Sequence, residues 1–141
     1  MHIRPFELPD QPLVVALWEE CRLTRPWNDP HKDIARKLAV QPELFLVGVV
    51  NEAVIATVMA GYEGHRGWVN YLAVAHAFRG QGFARALMQH VEQLLLRRGC
   101  PKVSLLVRTS NPEAIDFYRH LGYRQDEAVS LGQRLMADHP A

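Results

Sequence analysis

Two glycines at one junction dictate the topology around them. Arg79-Gly80-Gln81-Gly82-Phe83-Ala84 follows a strand-like run, Trp68-Val69-Asn70-Tyr71-Leu72-Ala73-Val74. It leads into a segment that carries Phe83, Leu87, Val91, Leu94 and Leu95 on one helical face. The helix end is well marked: Arg97 and Arg98 suit the negative end of the macrodipole, Gly99 the left-handed position after the helix, and Pro101 blocks continuation. Lys102 to Val107 then reads as a buried strand, parallel to Trp68–Val74 through a right-handed crossover. At such a strand-to-helix turn the unpaired first-turn N–H groups and the positive end of the dipole converge, which makes an anion site. A tight turn without a ligand would explain the glycines equally well when they are taken alone. A Walker loop fails for want of a Lys-Ser/Thr pair, and a Rossmann fingerprint fails because Arg85 stands where a third small residue is needed.

The rest of the chain fits around this βαβ unit. At 141 residues the expectation is one domain, spanning 1–141. His2 to Phe6 alternates like a strand, and Leu13, Val14, Leu17 and Trp18 follow at helical spacing. Prolines 26, 30 and 42 delimit a loop around Trp27-Asn28-Asp29 and a short helix from about Asp33 to Val40. Leu44–Val50 and Ala53–Gly61 read as strands joined by a tight Asn51-Glu52 hairpin, and Gly64-His65-Arg66-Gly67 turns into Trp68–Val74 to complete a meander. Asn111-Pro112 looks like the cap and first residue of a helix that carries Ile115, Tyr118 and Leu121 and closes at Gly122. Tyr123 to Leu135 reads as one or two further strands. The fold class is therefore α/β, of the α+β kind, with a mixed central sheet.

Composition removes several function classes. Sixteen Lys+Arg against fifteen Asp+Glu give a formal charge of +1, which supplies no field for a polyanion, so general nucleic-acid binding is disfavoured. The longest apolar runs fall far short of the roughly 18 residues of a membrane span. Cys21 and Cys100 make no CxxC pair, and the seven histidines have no ligand spacing, so no metal site is expected. The N-terminus lacks a signal pattern, and a reducing cytoplasm is the expected location.

The Arg-Gly-x-Gly-x-Ala loop, followed in order by Asn111 and Phe117-Tyr118-Arg119-His120-Leu121-Gly122-Tyr123, resembles the GNAT superfamily of acetyl-CoA-dependent N-acetyltransferases. The likeness runs over essentially the whole chain. It implies a mixed sheet, flanked by about four helices, whose parallel strands Trp68–Val74 and Val103–Val107 splay apart to admit acetyl-CoA. It implies that the backbone of Leu72, Ala73 and Val74 pairs with the pantetheine arm, and that the loop of Arg79, Gly80, Gln81, Gly82, Phe83, Ala84 and Arg85 holds the pyrophosphate. Asn111, which a helix cap also explains, would reach the pantetheine, and Tyr118 would face the sulfur as general acid, its phenol protonated at neutral pH.

The base departs from known branches. Leu106 occupies the position of a glutamate in the branch that acetylates protein N-termini, and Trp68–Val74 has no carboxylate like that of the histone-acetylating branch. Glu63 is the first choice, with His65 or a water relayed through Asn70 or Tyr71 as alternatives; Glu63 and His65 also suit a plain exposed turn. The least regular segments, Thr24 to Asp29 and Gln125 to Gly132, are the expected source of acceptor selection, with Trp27, Asn28 and Asn70 as candidate pocket residues, and Glu63 and Asp29 would favour a cationic amine. The implied activity is direct acetyl transfer to an amine of a small molecule or peptide by a homodimeric enzyme. The alternative is a non-catalytic acyl-CoA-binding or sensing module. An RNA-directed role for Arg79, Arg85, Arg97, Arg98 and Lys102 is weak, because the turn and the helix end already account for them.

Overall fold

The structure, a computed structural model, describes residues 1–139. In chain order it comprises β1 (His2–Pro5), α1 (Gln11–Glu20), α2 (Pro30–Leu38), β2 (Phe45–Val50), β3 (Ala53–Tyr62), β4 (Gly67–Val74), α3 (Phe83–Arg97), β5 (Val103–Leu105) and α4 (Pro112–His120). The sheet order is β1-β2-β3-β4-β5. Neighbours are antiparallel except β4 and β5, which run parallel across the α3 crossover. This is the mixed sheet with four helices expected from the sequence.

Period-two alternation divides the strands between two cores. Leu46, Val58, Ala60 and Val69 pack with Leu87, Met88, Val91 and Leu95 of α3 on one face. Phe45, Val47 and Met59 pack with Val14, Trp18 and Ile34 of α1 and α2 on the other. Asn51 and Glu52 both adopt positive φ, +49° and +66°, as a two-residue hairpin of the primed type requires. Gly67 opens β4 beneath α3, where a Cβ would lie 2.9 Å from Cys100 Sγ, so only glycine allows that close approach.

Three expectations are corrected. The second helix begins at Pro30 rather than near Asp33, because Asp29 accepts the His31 N–H at 2.9 Å and Pro30 fills the first helical position. The last strand is shorter than Lys102–Val107, and it pairs only along Gly67–Val69. The segment from Tyr123 to Leu135 forms no strand among the described residues. Its alternating Val129 and Leu131 are exposed; side chains pin it instead, with Arg134 donating to Asn28 Oδ1 at 3.0 Å and Asp138 accepting from Arg36 at 2.7 Å.

Beyond Val69 and Leu105 the parallel pairing ends, which leaves the β5-facing edge of β4 without a strand partner from Asn70 to Val74 among the described residues. At the same level the β3–β4 register moves from Met59↔Asn70 to Thr57↔Ala73, so β4 holds one extra residue. Tyr71 sits in this bulge at φ +53°, a left-handed conformation unusual for an aromatic residue.

Candidate active site

The glycine loop ends in Gly80 and Gly82 at φ +78° and +81°, and Gly82 caps α3. A Cβ built on either glycine would meet nothing within 4 Å, so the space above the loop is open. The first helical N–H with a backbone acceptor here is that of Ala86, which donates to Gly82 O at 3.0 Å; the amides from Gly80 to Arg85 have none among the described residues. Orphan donors at a helix start, joined to the helix dipole, favour an anion. A pyrophosphate fits this cradle. Arg79 belongs to its foundation instead: its N–H donates to His76 O at 3.3 Å. The Arg79 guanidinium folds back onto Val74 O at 3.0 Å and Cys21 Sγ at 3.5 Å, tying the end of β4 to α1.

The bulge is held from the opposite face. Thr57, fully buried, donates from Oγ1 to Tyr71 O at 2.8 Å and accepts from Trp18 Nε1 at 2.9 Å. The Trp18 ring stacks on Tyr71, with centroids 3.7 Å apart and planes inclined by 12°. Tyr71 Oη donates to Asp33 Oδ2 at 2.6 Å, and burial followed by this carboxylate raises the phenol's pKa well above its ordinary value. Tyr71 thus forms part of the wall of an open depression of about 550 Å³ that also includes Arg25, Asn28, Asp33, Asn70 and Arg108. Lys37 and Arg36 complete its charged lining. Lys37 Nζ donates to Ala60 O and its pKa is lowered by burial, while Arg36 is engaged with Asp33 at 3.5 Å and Asp138 at 2.7 Å.

The sites expected from sequence fall into three groups. Leu72, Ala73 and Val74 lie on the open edge of β4, and Gly80 to Arg85 form the cradle. Asn28 and Asn70 line the depression. Trp27 does not; it is exposed, with the Arg108 guanidinium 5.7 Å from its ring centroid. Glu63 stands apart. Its carboxylate accepts the N–H groups of His65, at 2.6 Å, and Arg66, which hold its pKa below the usual carboxylate range, and it is absent from the depression's lining. Asp29 is a helix cap, and its own N–H donates to Asp138 Oδ2 at 2.8 Å.

Asn111 Oδ1 accepts the Ala114 N–H at 3.2 Å, which leaves its amide NH2 to donate elsewhere. Tyr118 packs edge-on to Phe117 and Tyr123, at centroid distances of 5.1 and 5.7 Å, and burial pushes its phenol up to about 12. Sequence reasoning included Arg25 in the acceptor-selecting segment Thr24–Asp29 without singling it out, and it overlooked Asp33 and Arg108 as pocket residues; the other segment it named, Gln125–Gly132, is not in the lining. Asp33 looked like an ordinary acidic residue near a helix start, and the two arginines sit in connecting segments without periodicity. Only the fold joins them.

The family model "Acetyltransferase (GNAT) family" matches residues 12–123. An acetyltransferase of Yersinia enterocolitica is 49% identical over 138 residues, covering 98% of each chain, and one of Pectobacterium atrosepticum matches to the same extent. Among solved structures, the aminoglycoside antibiotic 6′-N-acetyltransferase of Acinetobacter haemolyticus superposes with a TM-score of 0.75 at 17% identity, covering 96% of this chain and 99% of that one. Ard1 of Thermoplasma volcanium superposes at 0.70 with 26% identity, over 86% of this chain and 80% of that one. With its open β4 edge, glycine cradle and matched length, the chain belongs to the GNAT acetyltransferase family.

Proposed function

We propose that this chain works as a single N-acetyltransferase domain that moves an acetyl group from acetyl-CoA directly to the amine of a small molecule or peptide. The observation that carries the reading is the unpaired edge of β4 running straight to a row of backbone amides without acceptors at Gly80–Arg85. Leu72 to Val74 would hold the pantetheine arm by strand-like pairing, the cradle would hold the pyrophosphate, and the NH2 of Asn111 would donate to the arm. Acetyl-CoA supplies an activated thioester when bound.

The residues of this chain do the rest. N–H groups on the free β4 edge offer donors to negative charge developing on a carbonyl oxygen, a contribution of about 2.7–4 kcal/mol where such a donor has been removed. Tyr118, assigned to the sulfur, keeps its proton at all physiological pH. Its phenol near 12 lies above an ordinary thiol near 8.5, so complete proton transfer to a thiolate runs uphill by about 5 kcal/mol. Tyr118 therefore acts by donating a hydrogen bond to the leaving sulfur, and the amine's proton ends on the thiol. Glu63 is not favoured as the base, since its carboxylate is committed to the hairpin turn.

The test pairs calorimetric acetyl-CoA binding with thiol release over a panel of amines and peptides. Binding with release for at least one acceptor supports the enzyme; binding without release for any acceptor moves the chain to a non-catalytic acyl-CoA module. A homodimer is part of the same proposal, and a monomer at every concentration in light scattering overturns it.

A further inference from the structure

The charges around the acceptor depression are lopsided. Among the described residues four of its lining side chains are cationic and Asp33 alone is acidic. Two of the cations are spent: Arg36 on Asp33 and Asp138, and Lys37 on the carbonyl of Ala60. The other two retain donors. Arg25 is anchored through Nη1 to the carbonyls of Arg22 and Thr24, at 2.8 and 2.9 Å, which aims the guanidinium and leaves Nη2 and Nε unassigned. Among the described residues Arg108 forms no ion pair, and its guanidinium lies 5.7 Å from the centroid of the Trp27 ring. An anchored guanidinium with open donor edges matches a carboxylate. At the same depression Asp33 and Tyr71 Oη form a tight pair, an acceptor for an ammonium or amine N–H.

We propose that the acceptor is an amine carrying a carboxylate at its other end, with the carboxylate held by Arg25 and Arg108 and the nitrogen received at Asp33 and Tyr71. This reading names the substrate class for the acetyl transfer proposed above and rests on it. It reverses the sequence-based expectation of a cationic acceptor, since Glu63 and Asp29, which carried that expectation, are absent from the lining and engaged in turn and cap. Polyamines would place extra positive charge beside four cations and are disfavoured by like-charge repulsion.

The test is calorimetry on full-length protein saturated with coenzyme A, using leucine, β-alanine and 6-aminohexanoate, each beside its carboxamide. The three acids vary the span from nitrogen to carboxylate. At least one acid is expected to bind about tenfold or more tighter than its amide, the size expected for hydrogen bonds to a charged group. Arg25→Gln and Arg108→Gln, each confirmed folded by its melting curve, are expected to erase most of that preference. Amides binding as well as acids in every pair, no acid binding, or both variants retaining the preference would overturn the proposal. Thiol release is scored separately. Acid binding without release removes the transfer reading and leaves the carboxylate site standing, whereas release with amides and polyamines alone does the reverse.

Discussion

Thr57 is the residue on which the bulge depends, and Thr57→Val removes its hydroxyl while nearly preserving its shape. The methyl-for-hydroxyl exchange leaves two buried groups without partners, the Trp18 indole N–H and the Tyr71 carbonyl, now met at 2.9 and 2.8 Å. Each orphaned buried group costs about 1–3 kcal/mol, so the expected loss is about 2–6 kcal/mol, a large share of the 5–15 kcal/mol typical of a domain. At roughly 3 °C per kcal/mol for a chain of this length, the melting point should fall by about 6–18 °C. Urea denaturation of wild type, Thr57→Val and Thr57→Ser measures it directly. Serine keeps the hydroxyl and loses only a methyl, so it should cost about 1 kcal/mol. A valine variant within about 0.5 kcal/mol of wild type, or a serine variant as damaged as valine, would refute the role given to this hydroxyl.

Replacing Gly82, at φ +81°, with valine should cost about 1–2 kcal/mol of stability through the left-handed conformation and weaken acetyl-CoA binding by at least tenfold; calorimetry at wild-type affinity would reject the cradle. Tyr118→Phe should lower turnover at least tenfold with acetyl-CoA affinity nearly unchanged, and because the phenol titrates near 12, no loss of wild-type activity below pH 10 should trace to it; undiminished turnover in the variant would remove its role. Asp138, held near 2 by Arg36, the Asp29 N–H and Arg134, should pin the tail fully above about pH 4, the unfolded value, and release it as pH falls toward 2. Amide exchange of residues 124–139 should show that acid step in wild type and lack it in Asp138→Asn.

Local chemistry explains why much of the fold was readable. Asn51-Glu52 accepts the positive φ that a two-residue hairpin demands, and the glycine loop and the Gly99 stop bracket α3 without help from distant residues. The tail from Tyr123 misled because alternation at Val129 and Leu131 states only that a strand would suit the pattern. A strand also needs a neighbouring edge, and ion pairs at Asp138 hold this segment instead. Site residues divide the same way. The cradle is contiguous, so sequence displays it whole. The acceptor wall is assembled from the α1–α2 loop, α2, β4 and the segment after β5, and no spacing rule links Arg25, Asp33, Asn70 and Arg108.

The bulge at Tyr71 joins these two halves. Upstream of it, Asn70 faces the acceptor depression; downstream, Leu72 to Val74 present the edge left open where β5 ends. Because strand side chains alternate with a period of two, removing the extra residue would turn every position after it to the other face of the sheet. The open edge and the acceptor wall are thus set by one register shift, secured by Trp18 and Thr57 from the side opposite the glycine loop. On the proposed function, the cofactor's negative charge would meet backbone amides that side-chain replacement barely alters, whereas the acceptor would meet side chains carried largely on connecting segments. On that reading, acceptor preference would be free to change at Arg25 and Arg108 while the cradle and the bulge stay as they are.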